Sequence, residues 1–321
     1  MISQIVRCLA LVVSFVVPVS GYSQPLKTPL VAVLMTTAYL GRLEAFRSGL
    51  KELGYEEGRT ITVVSRNGPD ERLDALAREL VDLAPDVVVG DTAPTTSALA
   101  HATKTIPIVF MATADPVNGG FVKSFAHPGG NITGLTEMAA ELAGKRLQLL
   151  REMRPGLKRV AVLANPNHAF HRSMMRDADD AARTIGLQLV HFEVRNRVEI
   201  ERAFAAFNAQ QVEAVLQMPH PLFGNELALI ARLALSQRLP LSVGLVDGVN
   251  AGALFAYGPD YIEQARRAAA YVGKILKGAR PGDLPVERAS KFELAVNAKT
   301  AKALGIKIPQ SILVRATRVI E

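Results

Sequence analysis

The chain has 321 residues, 49% of them hydrophobic, with 6% aromatics and no Trp. That is enough to bury a sizeable core and to form about two domains of roughly 150 residues, and it excludes a disordered chain. The net charge is +7, but Lys and Arg alternate with acids along the helical stretches, so there is no basic stripe for a nucleic acid to follow.

The first segment reads as an export signal. Arg7 is the sole basic residue ahead of an apolar run, Cys8 to Val17, which Pro18 breaks. Small residues in Val19-Ser-Gly-Tyr-Ser-Gln24 offer a cleavage site, which places the signal peptide at 1–23. The apolar run is short for a membrane span, although an uncleaved anchor is the alternative. Cys8 is the only cysteine and follows Ile-Val-Arg, unlike a lipoprotein signal. A cleaved chain would therefore carry no thiol for a disulfide, a nucleophile or a metal.

Beyond the signal, strand and helix patterns alternate. Leu30–Met35 is a continuous apolar run and reads as a buried strand, with Thr37, Ala38 and Tyr39 in the loop at its end. Leu43, Phe46, Leu50 and Leu53 share one helical face, and Gly54 closes that helix. Thr60–Ser65 is the second strand, and Arg72–Leu83 carries the second helix. Asp86-Val-Val-Val-Gly90 is the third strand. It leads into Asp91, Thr92 and Ala93, where Thr92 is a candidate cap and Pro94 suits a first helical turn. The fourth strand, Ile108–Ala112, ends in Thr113-Ala114-Asp115-Pro116. A short helix is expected after it, then a turn at His127-Pro-Gly-Gly-Asn131. Alternation of this kind implies a parallel sheet with right-handed crossovers.

The second half repeats the first. Val160-Ala-Val-Leu-Ala164 echoes Val31-Ala-Val-Leu-Met35, and two further helix–strand units follow at a nearly constant offset of about 130 residues. The fold class expected is α/β, with two doubly wound parallel-sheet lobes. The strand-like run Ala253–Gly258, the helix Tyr261–Leu276 and the extended stretch Leu284–Asn297 go beyond two simple lobes. They suit a chain that crosses between lobes more than once.

Several short motifs occur in fixed order: Asp115-Pro-Val117, Pro128-Gly-Gly-Asn-Ile-Thr-Gly134, Ala164-Asn-Pro166, Tyr257-Gly-Pro-Asp-Tyr261, Lys274-Ile-Leu-Lys-Gly278, Lys291-Phe-Glu-Leu294 and the ending Ile308-Pro-Gln-Ser-Ile-Leu313. With them the chain resembles the ABC-transporter substrate-binding proteins of the tryptophan/tyrosine-type branch, which have the type I periplasmic-binding-protein fold. The resemblance implies two lobes joined by three crossing segments, expected near Thr133–Leu135, Ala253–Tyr257 and Val286–Phe292. The first lobe would take 28–134 plus 256–286, and the second 135–254 plus 287–321. It also implies a periplasmic monomer that holds a small solute between its lobes and presents it to an ABC permease in the inner membrane. No cofactor, metal or nucleic acid is implied. A ligand sensor presenting solute to a membrane receptor is the alternative role.

An amino-acid-like solute sets the candidate contacts. Thr92 and Ala93 open a helix that suits a carboxylate. Asp115, Asp91 or Asp247 could pair with an ammonium, although Asp115 could equally cap the following turn. Tyr39, Phe170 and Tyr257 could hold a flat side chain. Thr37, Ala38, Thr113 and Ala114 belong to strand-end loops facing the cleft. Asn165 is a hydrogen-bonding candidate or an Asx turn. The loop Gln217-Met218-Pro219-His220 belongs to the corresponding strand end of the second lobe. His168 and His171 lack the further ligands a zinc site needs. There is no phosphate-binding G-x-x-x-x-G-K loop and no G-x-S-x-G elbow.

Overall fold

The computed structural model describes residues 28–37, 41–137, 139–168 and 170–321. The expected signal segment with Cys8, and the loop residues Ala38 and Tyr39, lie outside the described residues.

The first lobe opens with β1 (Leu30–Thr36), α1 (Gly41–Glu52), β2 (Thr62–Gly68), α2 (Leu73–Asp82), β3 (Val87–Gly90), α3 (Ala93–Ala102), β4 (Ile108–Thr113) and β5 (Ile132–Thr136). The second follows with α4 (Ala139–Met153), β6 (Arg159–Ala164), α5 (His171–Thr184), β7 (Gln188–Glu193), α6 (Arg197–Ala206), β8 (Ala214–Gln217), α7 (Pro221–Asn225), α8 (Leu227–Ser236), β9 (Leu241–Val243) and β10 (Phe255–Pro259). The chain then runs through α9 (Tyr261–Leu276), β11 (Glu287–Arg288), β12 (Phe292–Asn297), α10 (Ala298–Leu304), α11 (Gln310–Arg315) and β13 (Arg318–Ile320).

Two open sheets result, ordered β11-β5-β4-β3-β1-β2 and β13-β12-β10-β9-β8-β6-β7. Strands β1, β3 and β4 are buried almost end to end, as expected of parallel strands covered by helices on both faces. One apolar cluster joins the first sheet to α1 and α9 through Phe46, Leu50, Ala268 and Val272, and another joins its opposite face to α2 and α3. The second sheet is covered in the same way. Gly134 in β5 has φ +151°, and a Cβ there would lie 2.1 Å from the Phe110 carbonyl oxygen of β4. Only glycine allows that approach, next to a shift in the β4–β5 register.

The first two crossings fall slightly later than the motifs suggest. β5 belongs wholly to the first sheet, so the first crossing follows it. β10 pairs with β9 and β12, so the second lies between Pro259 and Tyr261. The third separates β11, which pairs with β5, from β12. The strands pair in parallel except β10 with β12, because β12 re-enters the second sheet from the opposite end. Residues 116–120 form turns rather than the expected helix, since Pro116 and the Gly119-Gly120 pair disfavour helical continuation.

Candidate functional site

Both sheets contain the order second-first-third-fourth strand: β2-β1-β3-β4 and β7-β6-β8-β9. In such sheets the chain reverses direction between the first and third strands, and ligands sit outside the carboxyl ends there. The loops after β1, β3, β6 and β8 all project into the space between the lobes. An inter-lobe cavity of about 40 Å³ is lined by Thr92, Ala93, Pro94 and Ala112 of the first lobe and by His168, Gln217, Pro219, His220, Pro221, Gly244 and Leu245 of the second. Arg42, Glu137 and Tyr261 complete it. That space is far below the roughly 300 to 1,000 Å³ of ordinary solute sites, so a solute would have to share it with the groove that adjoins it. A wider polar groove of about 700 Å³ continues from Pro94, His220 and Pro221 past Thr37, Asp70, Asn165 and Arg195. A further hollow of about 460 Å³ between α1 and β2 lies away from these strand ends. Arg47 there is paired with Glu44 and Glu57.

On the first-lobe side, α3 points its N-terminus at the cavity. Thr95 Oγ1 accepts from the Thr92 amide at 3.0 Å, and Pro94 occupies the first turn. The first turn of a helix carries a partial positive charge suited to an anion. Asp91 lies just behind. Its carboxylate is fully buried and accepts from the Thr36 amide, the Thr36 hydroxyl (3.0 Å), the Thr92 hydroxyl (3.2 Å) and the Thr95 hydroxyl (3.0 Å). Burial pushes its pKa up, against the lowering effects of Arg42 and these donors. Asp91 thus ties the end of β1 to the start of α3.

Three buried charges surround the first crossing. Glu137 follows β5, and the Tyr261 hydroxyl donates to its Oε2 at 2.6 Å. Burial raises the Glu137 pKa, opposed by Tyr261, Arg42 and Arg146. The Arg42 guanidinium stacks 4.3 Å from the Tyr261 ring centroid and donates to the Asp91 carbonyl at 3.1 Å. Arg146, on α4, is 1% exposed and donates to the Gln217 carbonyl at 2.9 Å. Burial lowers its pKa to about 10, which leaves it charged at neutral pH.

The second-lobe wall is neutral. His168 Nδ1 accepts from the Phe170 amide at 3.1 Å, and His220 Nδ1 accepts from the Leu222 amide at 3.2 Å. Burial pushes these rings down to about 3 and about 4. His220 Nε2 lies 3.5 Å from Asp70 of the first lobe. With the ring neutral, that contact is a polar approach and not an ion pair. Thr37 and Asn225 also meet across the groove, at 3.3 Å. Phe170 packs edge-on against Phe121 of the first lobe. The lobes are therefore in contact around the cavity.

Of the residues singled out by sequence, Thr92, Ala93 and His220 line the cavity, and Thr37 and Asn165 line its outer groove. Asn165 also makes the Asx turn, accepting from the Asn167 amide at 2.9 Å. Thr113, Ala114 and Met218 are buried near the strand ends without lining the cavity. Asp115 accepts from the Asn118 amide at 3.1 Å and holds the turn that follows. Asp247 is exposed on a short 3₁₀ turn. Tyr257, in β10 ahead of the second crossing, stacks on Phe292, ring centroids 6.1 Å apart. Sequence reasoning passed over Arg42, Glu137, Arg146 and Tyr261. A signal existed for both arginines. Arg42 shares the buried face of α1 with Phe46, Gly49 and Leu50, and Arg146 shares that of α4 with Leu142, Leu149 and Leu150. A charge in register with an apolar stripe needs a buried partner.

The model of the ABC transporter substrate binding protein family matches residues 30–320. A tyrosine-binding protein of Clostridioides difficile (strain R20291) is 25% identical over 266 residues, 82% of this chain and 76% of that relative. A conserved domain protein of Vibrio cholerae superposes with a TM-score of 0.86 at 32% identity, covering 91% of this chain and all of the other. An ABC domain from Streptococcus pneumoniae in complex with L-Trp also gives 0.86, at 25% identity and the same coverage. With the family model spanning both sheets and all three crossings, the chain belongs to the ABC transporter substrate-binding proteins, which bind solutes and are not enzymes.

Proposed function

We propose that the chain is exported to the periplasm, captures an L-amino acid between its lobes and presents it to an ABC permease. The observation that carries this reading is the charge arrangement in one small cavity. The N-terminus of α3 and the buried Arg42 offer positive potential, and the buried Glu137 carboxylate offers its opposite. A zwitterion satisfies both, its carboxylate at the start of α3 beside Ala93 and its ammonium at Glu137. Pro94, Pro219, Pro221 and Leu245 supply an apolar wall for a side chain. The tyrosine-binding and L-Trp-bound relatives support an aromatic one. Closing two lobes on a ligand shifts a conformational equilibrium and needs no chemistry.

The test is titration calorimetry and thermal melting of the mature protein against the twenty L-amino acids, sugars and nucleosides. Saturable binding of an amino acid, with tyrosine and tryptophan foremost, is expected. Saturation by a sugar or nucleoside while every amino acid fails would sink the reading. Cell fractionation with and without residues 1–23 tests export.

A further inference from the structure

Gln217 ends β8, is 4% exposed and is one of the residues that line the cavity. Its main-chain oxygen receives Arg146, but its side-chain Oε1 is buried and meets no hydrogen-bond donor among the described residues. A buried amide oxygen without a donor is uncommon in folded proteins and calls for an explanation. Four other side-chain oxygens in the same condition, on Thr113, Gln237, Ser242 and Gln264, do not line the cavity. Gln217 alone among these five belongs to the lining of a cavity from which a solute could supply a donor.

The neighbouring acceptor is Glu137, which lines the same cavity and is linked to the same arginine: Arg146 bonds the Gln217 carbonyl and interacts electrostatically with Glu137. Tyr261 occupies one oxygen of Glu137. Two residues with acceptor oxygens, a carboxyl and an amide, line one small space, and a cation with several N–H donors suits both. An ammonium has three.

We propose that Gln217 and Glu137 jointly hold the ammonium of the solute, so that Gln217 makes closure of the second lobe depend on an α-amine. This rests on the amino-acid reading above and adds the residue that selects for the amine. Glu137 belongs to the crossing and Gln217 to the second lobe, so the ammonium bridges two parts whose separation changes on closing. A solute with the same side chain and carboxylate but no amine leaves Gln217 Oε1 without a donor, and such sites reject the deficient analogue strongly.

The experiment compares L-tyrosine with 3-(4-hydroxyphenyl)propanoate, or the tightest-binding amino acid with its des-amino counterpart, on the wild type, Gln217→Met and Gln217→Glu. The wild type is expected to prefer the amino acid by about 100-fold or more. Gln217→Met should keep its melting profile, lose about 10- to 100-fold in affinity for the amino acid and change little towards the des-amino compound. Gln217→Glu, which keeps an acceptor, should retain the preference. Equal loss for both ligands in Gln217→Met, or no loss for either, overturns the proposal. So does a change confined to the tyrosine-to-phenylalanine ratio, which would assign Gln217 to the side chain. Failure of every amino acid on the wild type overturns the broader reading together with this one, and is recognisable because it precedes any variant.

Discussion

Phe170 and Gly119 meet across the cleft so closely that a Cβ on Gly119 would lie 1.8 Å from Phe170 Cε1. Gly119 sits in the turn after β4 and Phe170 at the start of α5, so the contact belongs to the closed arrangement. Phe170 is 2% exposed and pinned by Phe121 at 5.7 Å, so its ring has little room to retreat. Gly119→Ala should therefore oppose closure while leaving each lobe intact. Affinity is expected to fall by about tenfold or more, with the ligand-free melting temperature nearly unchanged and a larger radius of gyration in solution scattering. Adding Phe170→Ala should recover part of the loss. An unchanged dissociation constant in Gly119→Ala would remove this contact from the closing mechanism.

The aspartates separate by what surrounds them. Asp91→Ala strips four donors of their shared buried acceptor and leaves Arg42 without its balancing charge. It should cost roughly 3 kcal/mol of stability, while added ligand still raises the melting temperature. Asp115→Ala removes only a turn cap, costs about 1 kcal/mol and should leave affinity within about twofold. Denaturation and calorimetry on both variants check this. A large affinity loss in Asp115→Ala with normal stability would make it a ligand contact after all.

The strands and their loops were legible because buried parallel strands read as unbroken apolar runs, and because the second half repeats the first. The cleft loops followed from the sheet order: Thr92 and His220 stand where strand-end reasoning points. The buried charges were harder to see. Glu137 has an ordinary acidic neighbourhood in sequence and acquires its setting only when Tyr261 arrives from 124 residues away. Asp91 shows the converse. Its position suggested an ammonium partner, but three threonines, one of them 55 residues distant, saturate it. Local patterns reveal which strand ends meet, while the identity of the partners depends on contacts between segments far apart in sequence.

Glu137 gives binding and folding opposite pH trends. Its pKa is raised by burial, so its contribution to folding is present below the ordinary glutamate value and is lost as pH rises through the raised one. An ammonium prefers the ionised carboxylate, so affinity should increase over the same interval and level off above it. Tyr261→Phe removes a donor that holds the pKa down, at 2.6 Å, and should move the rise in affinity to higher pH. Calorimetry in buffers of different ionisation enthalpy should detect proton release on binding within that interval. Affinity independent of pH in both proteins would exclude Glu137 as the ammonium partner.

The histidine pair should make the protein acid-sensitive. His168 and His220 are held at about 3 and about 4, first by burial. In both rings Nδ1 faces a backbone N–H, from Phe170 and from Leu222, so protonation would set donor against donor. With folded values below the unfolded 6.5, the unfolded state binds more protons, and stability is lost as pH falls from 6.5 towards 4. The loss by pH 4 is on the order of 3 kcal/mol per ring. His220→Asn keeps an acceptor for the α7 cap but cannot titrate. Denaturant unfolding at pH 7, 5 and 4 should show the variant losing about 3 kcal/mol less than the wild type across that range. Parallel losses in the two proteins would mean that His220 takes up its proton in the folded state as readily as in the unfolded one.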